Sequence, residues 1–166
     1  MSAVWLSDFR SEFRKSCQRL GEIAYRGKSI EREKYDLGMT QAPARIVFLD
    51  DSEDLRQLMQ ILLKSTLGVE CSCFGSLREF ERHSDEVLNA RVAILDINLG
   101  PEAPDGVDAF NWLMDHGFSG KIVFFTGHAR SNPQVVRAQG KGAEILEKPL
   151  RPDKLISTVT RYLEAA

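Results

Sequence analysis

From position 45 onward, short apolar runs alternate with stretches of helical periodicity. The runs IVFL (46–49), VECSCF (69–74), RVAIL (91–95), KIVFF (121–125) and AEILE (143–147) predict five strands. Four of them are almost continuously apolar, as expected for strands covered on both faces and hence for a parallel sheet. Helices are predicted near 53–66, 76–88, 106–116, 133–139 and 152–164, with Ser76 after Gly75 and Asp153 after Pro152 as starts. Five βα units in about 120 residues predict a doubly wound α/β domain over 45–166.

The first 44 residues have a different texture. Trp5, Phe9, Phe13, Cys17, Leu20 and Ala24 recur at steps of three and four, with Arg10, Arg14, Lys15 and Arg19 between them. This pattern predicts one amphipathic helix of about twenty residues with an aromatic stripe. Residues 26–44 are polar and punctuated by Gly and Pro, and read as a linker. Three readings of the helix stay open: it covers its own α/β domain, it serves self-association or a partner's groove, or it lies on a membrane surface. Met39 also offers an alternative translation start.

Composition narrows the function classes. With 43% hydrophobic and 28% charged residues the chain can build a core. Its net charge of −2, split as +2 over residues 1–44 and −4 over 45–166, gives no overall attraction to nucleic acid or anionic lipid. No apolar run nears the ~20 residues of a membrane span, and the N-terminus lacks the order of an export signal. Cys71 and Cys73 sit too close on one strand to pair comfortably, and with Cys17 they make an odd count, which suits a reducing cytoplasm.

The chemistry is expected beyond the carboxyl ends of the strands, where open parallel sheets bind ligands. The first strand ends in Asp50-Asp51, with Glu53 and Asp54 behind. The third ends in Asp96, followed by Ile97 and Asn98, the fourth in Thr126-Gly127, and the fifth in Lys148-Pro149. Three crowded carboxylates repel one another unless a cation holds them. Oxygen-only ligands that keep several waters favour Mg²⁺ over Ca²⁺. A carboxylate in such a site can act as nucleophile and hold an acyl phosphate, while a hydroxyl and an ammonium stabilise the transferring phosphoryl charge. The set is chemically complete for reversible phosphorylation of an aspartate.

These motifs resemble the receiver domain of bacterial two-component response regulators, of the stand-alone chemotaxis type. The resemblance covers about residues 44–165 and rests on FLDDSED, VAILDIN, FFTG and EKPL in order. The spacings agree too: 45 residues from Asp51 to Asp96, 30 to Thr126 and 22 to Lys148. It implies a flavodoxin-like five-stranded sheet in the order 2-1-3-4-5, with the N-terminal helical arm outside it. It also implies that Asp96 is the phosphoacceptor, that Asp51 binds Mg²⁺ directly and Asp50 through water, and that Asn98 offers its backbone carbonyl. Thr126 would bond a phosphoryl oxygen and swing inward, Lys148 would pair with the phosphoryl group, and the Lys148–Pro149 bond would be cis. Gly127 matches the small residue that leaves the phosphoryl group room, and Asn98 and His128 occupy positions that tune dephosphorylation.

Two departures stand out. Ile145 occupies the place, three before the lysine, where the family commonly carries an aromatic switch residue. The loop LGPEAPDG delays Gly106 to ten residues after Asp96, longer than the usual eight or so.

The implied function is a single-domain response regulator, phosphorylated by a histidine kinase or phosphotransfer protein and acting through a downstream protein target in the cytoplasm. No output domain is expected after the last helix, so output passes through protein contact or the N-terminal arm. The domain would catalyse only its own phosphorylation and dephosphorylation. One rival is a constitutive interaction module whose receiver no longer signals. Another is a haloacid-dehalogenase-type phosphatase, although that family places Asp-x-Asp on its first strand and this chain has Asp50-Asp51-Ser52.

Other residues have plainer readings. Strand-end acids can be helix caps, but the joint arrangement with Thr126 and Lys148 argues against it. His83, His116 and His128 show no ligand spacing, and Cys71 and Cys73 read as small core residues. Gly27-Lys28-Ser29 imitates a P-loop end without its preceding strand, and Gly140-Lys141-Gly142 is a helix stop.

Overall fold

A computed structural model describes residues 46–100, 105–127, 133–140, 142–148 and 152–165, together with Ser11, which is helical and exposed. The other positions of the predicted N-terminal helix, the linker over 26–44, Cys17, His128 and Pro149 lie outside the described residues.

The strands are β1 (Ile46–Leu49), β2 (Cys71–Phe74), β3 (Val92–Leu95), β4 (Lys121–Thr126) and β5 (Glu144–Glu147). The helices are α1 (Glu53–Leu67), α2 (Leu77–Arg82), α3 (Ser84–Leu88), α4 (Gly106–Asp115), α5 (Pro133–Gly140) and α6 (Pro152–Glu164). All neighbouring strands pair in parallel, in the order β2-β1-β3-β4-β5. This is the flavodoxin-like order.

The continuous apolar runs are explained by two cores. Along β1, Val47 and Leu49 pack on one side with Phe74, Phe80, Val87, Leu95, Phe110 and Leu113. Ile46 and Phe48 pack on the other with Leu55, Met59, Leu62, Leu63, Leu155 and Val159 of α1 and α6. Successive side chains of a strand point to opposite faces, so a sheet buried on both needs apolar residues at every position. Cys71 and Cys73 join the second core as free thiols, with sulfurs 3.8 Å apart. Their mutual hydrogen bond and burial push the Cys71 thiol far above its ordinary range, so it stays protonated.

Two predicted boundaries move. The single helix expected over 76–88 is two, α2 and α3, broken at His83. There the imidazole Nδ1 lies 2.8 Å from the Glu79 carbonyl oxygen, while the His83 N–H donates to Phe80 three residues back. The side chain takes the carbonyl that a continuing helix would give to the main chain, and the turn tightens. The strand expected from Val69 begins at Cys71. Gly68 closes α1 in the left-handed region at φ 69°, and exposed Glu70 is drawn into an ion pair with Lys64.

Candidate functional site

Register builds the site. Leu49 lies level with Phe74 on one side and Leu95 on the other, so β1 and β3 finish together. The ladder runs one step further, with Asp50 N–H donating to Phe74 at 3.1 Å and Asp96 N–H to Leu49 at 2.8 Å. Asp50 and Asp96 thus leave adjacent strands side by side. Across the sheet, Lys148 N–H donates to the Thr126 carbonyl at 2.8 Å, which brings the lysine to the same rim.

Ligand oxygens of Asp50, Asp51 and Asp96 all lie within 4.8 Å of one another. Asp50 is 0% and Asp96 4% exposed, whereas Asp51 faces solvent. The Lys148 ammonium, on a side chain 7% exposed, stands 2.8 Å from a carboxylate oxygen of Asp50 and 2.8 Å from one of Asp96. It also lies 4.8 Å from the centre of the Phe125 ring, which offers its negative face to the cation. The other Asp50 oxygen accepts from the Ser52 N–H at 2.9 Å.

Asp50 carries the electrostatic strain of this arrangement. Burial raises its carboxyl pKa from 3.8 to about 6, against the lowering pull of Lys148 and with a further push from Asp96. One ammonium offsets only one of three neighbouring carboxylates. The donors are all oxygen, two of them are buried, and the residual charge suits a divalent cation. The residues present therefore fit Mg²⁺.

Of the residues expected from the sequence, Asp50, Asp51, Asp96 and Lys148 are brought together. Thr126 is fully buried at the end of β4, and Asn98 lies exposed on the loop leaving β3. At Gly127 a Cβ would meet nothing within 4 Å, so the rim is open there. Ile145 is half-buried and packs against the α2–α4 core.

Two elements around the site were not expected. Gly106, first residue of α4, approaches the end of β3 so closely that a Cβ would sit 2.0 Å from the Asp96 carbonyl oxygen. Its N–H donates to Ile97 at 2.9 Å, and Asp105 caps the helix by accepting from Val107 and Asp108. Arg56, one turn into α1, donates from Nη1 to the carbonyl oxygens of Asp50 at 2.7 Å and Asp51 at 3.0 Å. Its position five residues after the acid pair is visible in the sequence, but its reach over Gly75 depends on the β1–β2 register.

Comparison with known proteins agrees with this architecture. A family model described as the response regulator receiver domain matches residues 46–160. Nodulation protein W of Bradyrhizobium diazoefficiens is 32% identical over 130 residues, which cover 76% of this chain and 55% of that protein. The chain thus spans about half the length of the curated relative it matches. The receiver domain of NtrX from Brucella abortus is 28% identical with a TM-score of 0.62, covering 73% of this chain and 99% of that one. A response regulator receiver protein from Pseudoalteromonas atlantica is 27% identical with a TM-score of 0.63, covering 73% and 98%. A CheY-like receiver domain protein from Methanospirillum hungatei, 22% identical with a TM-score of 0.65 over 75% and 96%, shares the fold. No helix among the described residues is long and apolar enough to cross a membrane. By its family match, its sheet order and its acidic rim, the chain belongs to the response regulator receiver domains of two-component systems.

Proposed function

We propose that this protein is a phosphorylation switch whose phosphoacceptor is Asp96, charged by a histidine kinase or phosphotransfer protein in the cytoplasm. The observation that carries the reading is the Lys148 ammonium, held 2.8 Å from both Asp50 and Asp96 inside a three-carboxylate cluster. An Asp96 oxygen attacks the phosphorus of a phosphohistidine, the P–N bond breaks with its electrons going to the imidazole, and an acyl phosphate forms. Lys148 then turns from the Asp96 carboxylate to a phosphoryl oxygen, and the Thr126 hydroxyl donates to another. Asp50, Asp51, Asp96 and the Asn98 carbonyl would hold Mg²⁺, which supplies neutralisation of the carboxylates and of the incoming phosphoryl charge. Water later attacks the phosphorus and releases inorganic phosphate, so the domain turns over only its own acyl phosphate.

The signal is a population shift between two surfaces, biased by Thr126 following the phosphoryl group. With Ile145 in the place of the usual aromatic, readout rests on repacking of an aliphatic side chain beside β4. Output is a change of affinity for a protein target, with self-association through the N-terminal helix as one form of it. The test is amide NMR with Mg²⁺ and beryllofluoride, a phosphoryl mimic. Mg²⁺-dependent shifts at residues 96–98, 126–127 and 145–148 are expected. Absence of any shift would indicate a constitutive module, and sustained turnover of a phosphate ester would indicate a phosphatase.

A further inference from the structure

We infer that Arg56 is a positioning residue for the cation site, and that Gly75 lacks a side chain to make room for it. The inference rests on the proposed Mg²⁺ site and concerns how its exposed carboxylate is aimed.

The three carboxylates are not held alike. Both oxygens of Asp50 are bonded, one to the Ser52 N–H and one to Lys148, and Asp96 is bonded to Lys148. Among the described residues, no hydrogen bond or ion pair holds the Asp51 carboxylate. It is nevertheless part of the cluster, its ligand oxygen within 4.8 Å of the other two. Among the described residues, it is the Asp51 backbone that aims it.

That backbone is fixed by Arg56. A single Nη1 donates to the carbonyls on both sides of the Asp51 Cα, those of Asp50 at 2.7 Å and Asp51 at 3.0 Å. Pinning two successive carbonyls to one nitrogen restricts the rotations that swing the intervening side chain. The guanidinium is planar and its donor directions are fixed, so it holds both bonds more rigidly than an ammonium would. Arg56 is itself anchored in α1, where its N–H donates to the Ser52 carbonyl at 3.0 Å and its carbonyl oxygen lies 3.6 Å from the Cys73 sulfur.

Gly75, the residue after β2, completes the arrangement. A Cβ there would stand 3.1 Å from Arg56 Nη1 and 3.3 Å from Cζ. The backbone of Gly75 is not in the left-handed region, so space for the guanidinium, not backbone freedom, is what glycine provides. Because the crowded atoms are the far end of a flexible side chain, Gly75→Ala displaces the guanidinium without breaking the fold.

Electrostatics and positioning predict opposite signs, which makes the inference testable. Removing a cation next to an acidic site tightens Mg²⁺ binding by simple Coulomb attraction. Loss of a positioning group weakens it, by ~10-fold at the low end of what outer-shell partners of metal ligands contribute. The experiment is titration of the full chain with Mg²⁺ alone, followed by calorimetry and by the Ser52 and Ile97 amide signals. Arg56→Met is expected to raise the Kd about 10-fold, Arg56→Lys by less, and Gly75→Ala in the same direction. If Gly75 acts only through the guanidinium, the double variant Arg56→Met/Gly75→Ala binds no more weakly than Arg56→Met.

Unchanged or tighter binding in Arg56→Met would overturn the inference, as would additive losses in the double variant. Should Arg56→Met fail to fold, Arg56→Lys and Gly75→Ala carry the same test. Failure of the unsubstituted chain to bind Mg²⁺ would overturn the cation site itself. Normal binding there with no effect of the variants would overturn the role of Arg56 alone.

Discussion

The Lys148 ammonium and the Asp96 carboxylate, 52 residues apart in sequence, meet at 2.8 Å at the rim of the sheet with almost no access to water. The same ammonium is 2.8 Å from Asp50, so removing it strands two buried carboxylates. Breaking a buried ion pair from one side costs about 3–5 kcal/mol. Lys148→Met is therefore expected to lose stability of that order at neutral pH without Mg²⁺, read by urea denaturation. Saturating Mg²⁺ should recover part of the loss if, as proposed, it binds the native arrangement. A change below about 1 kcal/mol would mean that the pair carries no such role.

Asp50 adds a pH-dependent contribution to stability. Its carboxyl is raised from 3.8 to about 6, chiefly by burial, so between those values the native state holds a proton that the unfolded chain has released. Stability from this group is therefore full at low pH and falls as pH rises through about 6. At pH 8 the ionised group costs the fold roughly 2–3 kcal/mol, because each tenfold gain in proton affinity on folding is worth about 1.4 kcal/mol. Asp50→Asn is expected to raise the melting temperature at pH 8 without Mg²⁺, with the gain vanishing toward pH 4. Lower stability of the variant at pH 8 would contradict this account of the site.

Gly106 tests how tightly α4 is fitted to the end of β3. A Cβ would meet the Asp96 carbonyl oxygen at 2.0 Å, its carbon at 2.8 Å and the Ile97 Cα at 2.9 Å. All three are backbone atoms, so the strand end or the helix must move. Gly106→Ala is expected to cost about 3 kcal/mol or more by urea denaturation. Gly127→Ala, with open space around it, should change stability by less than about 1 kcal/mol.

What the sequence made legible follows from which signals are local. The five strands and the acids at their ends could be read because a parallel sheet buried on both faces writes itself as unbroken apolar runs. Asp50, Asp51, Asp96 and Lys148 then met because each lies just past such a run. The break at His83 was hidden because it depends on an imidazole taking the Glu79 carbonyl, which hydrophobic periodicity does not encode. Val69 and Glu70 look like strand residues, yet the left-handed turn at Gly68 and the pairing of Glu70 with Lys64 delay β2. Arg56 escaped notice because its partners are backbone carbonyls, and the empty space it occupies belongs to Gly75, just past the end of β2.

The proposed switch requires that Asp96 accept a phosphoryl group with the help of Mg²⁺. Its most direct measurement is intact-protein mass spectrometry after incubation with acetyl phosphate, with and without Mg²⁺, alongside Asp96→Asn. The expected result is a single phosphoryl adduct that requires Mg²⁺, is labile in base and is absent from the variant, whose fold is preserved. An adduct that persists in Asp96→Asn, or that forms equally without Mg²⁺, would contradict it.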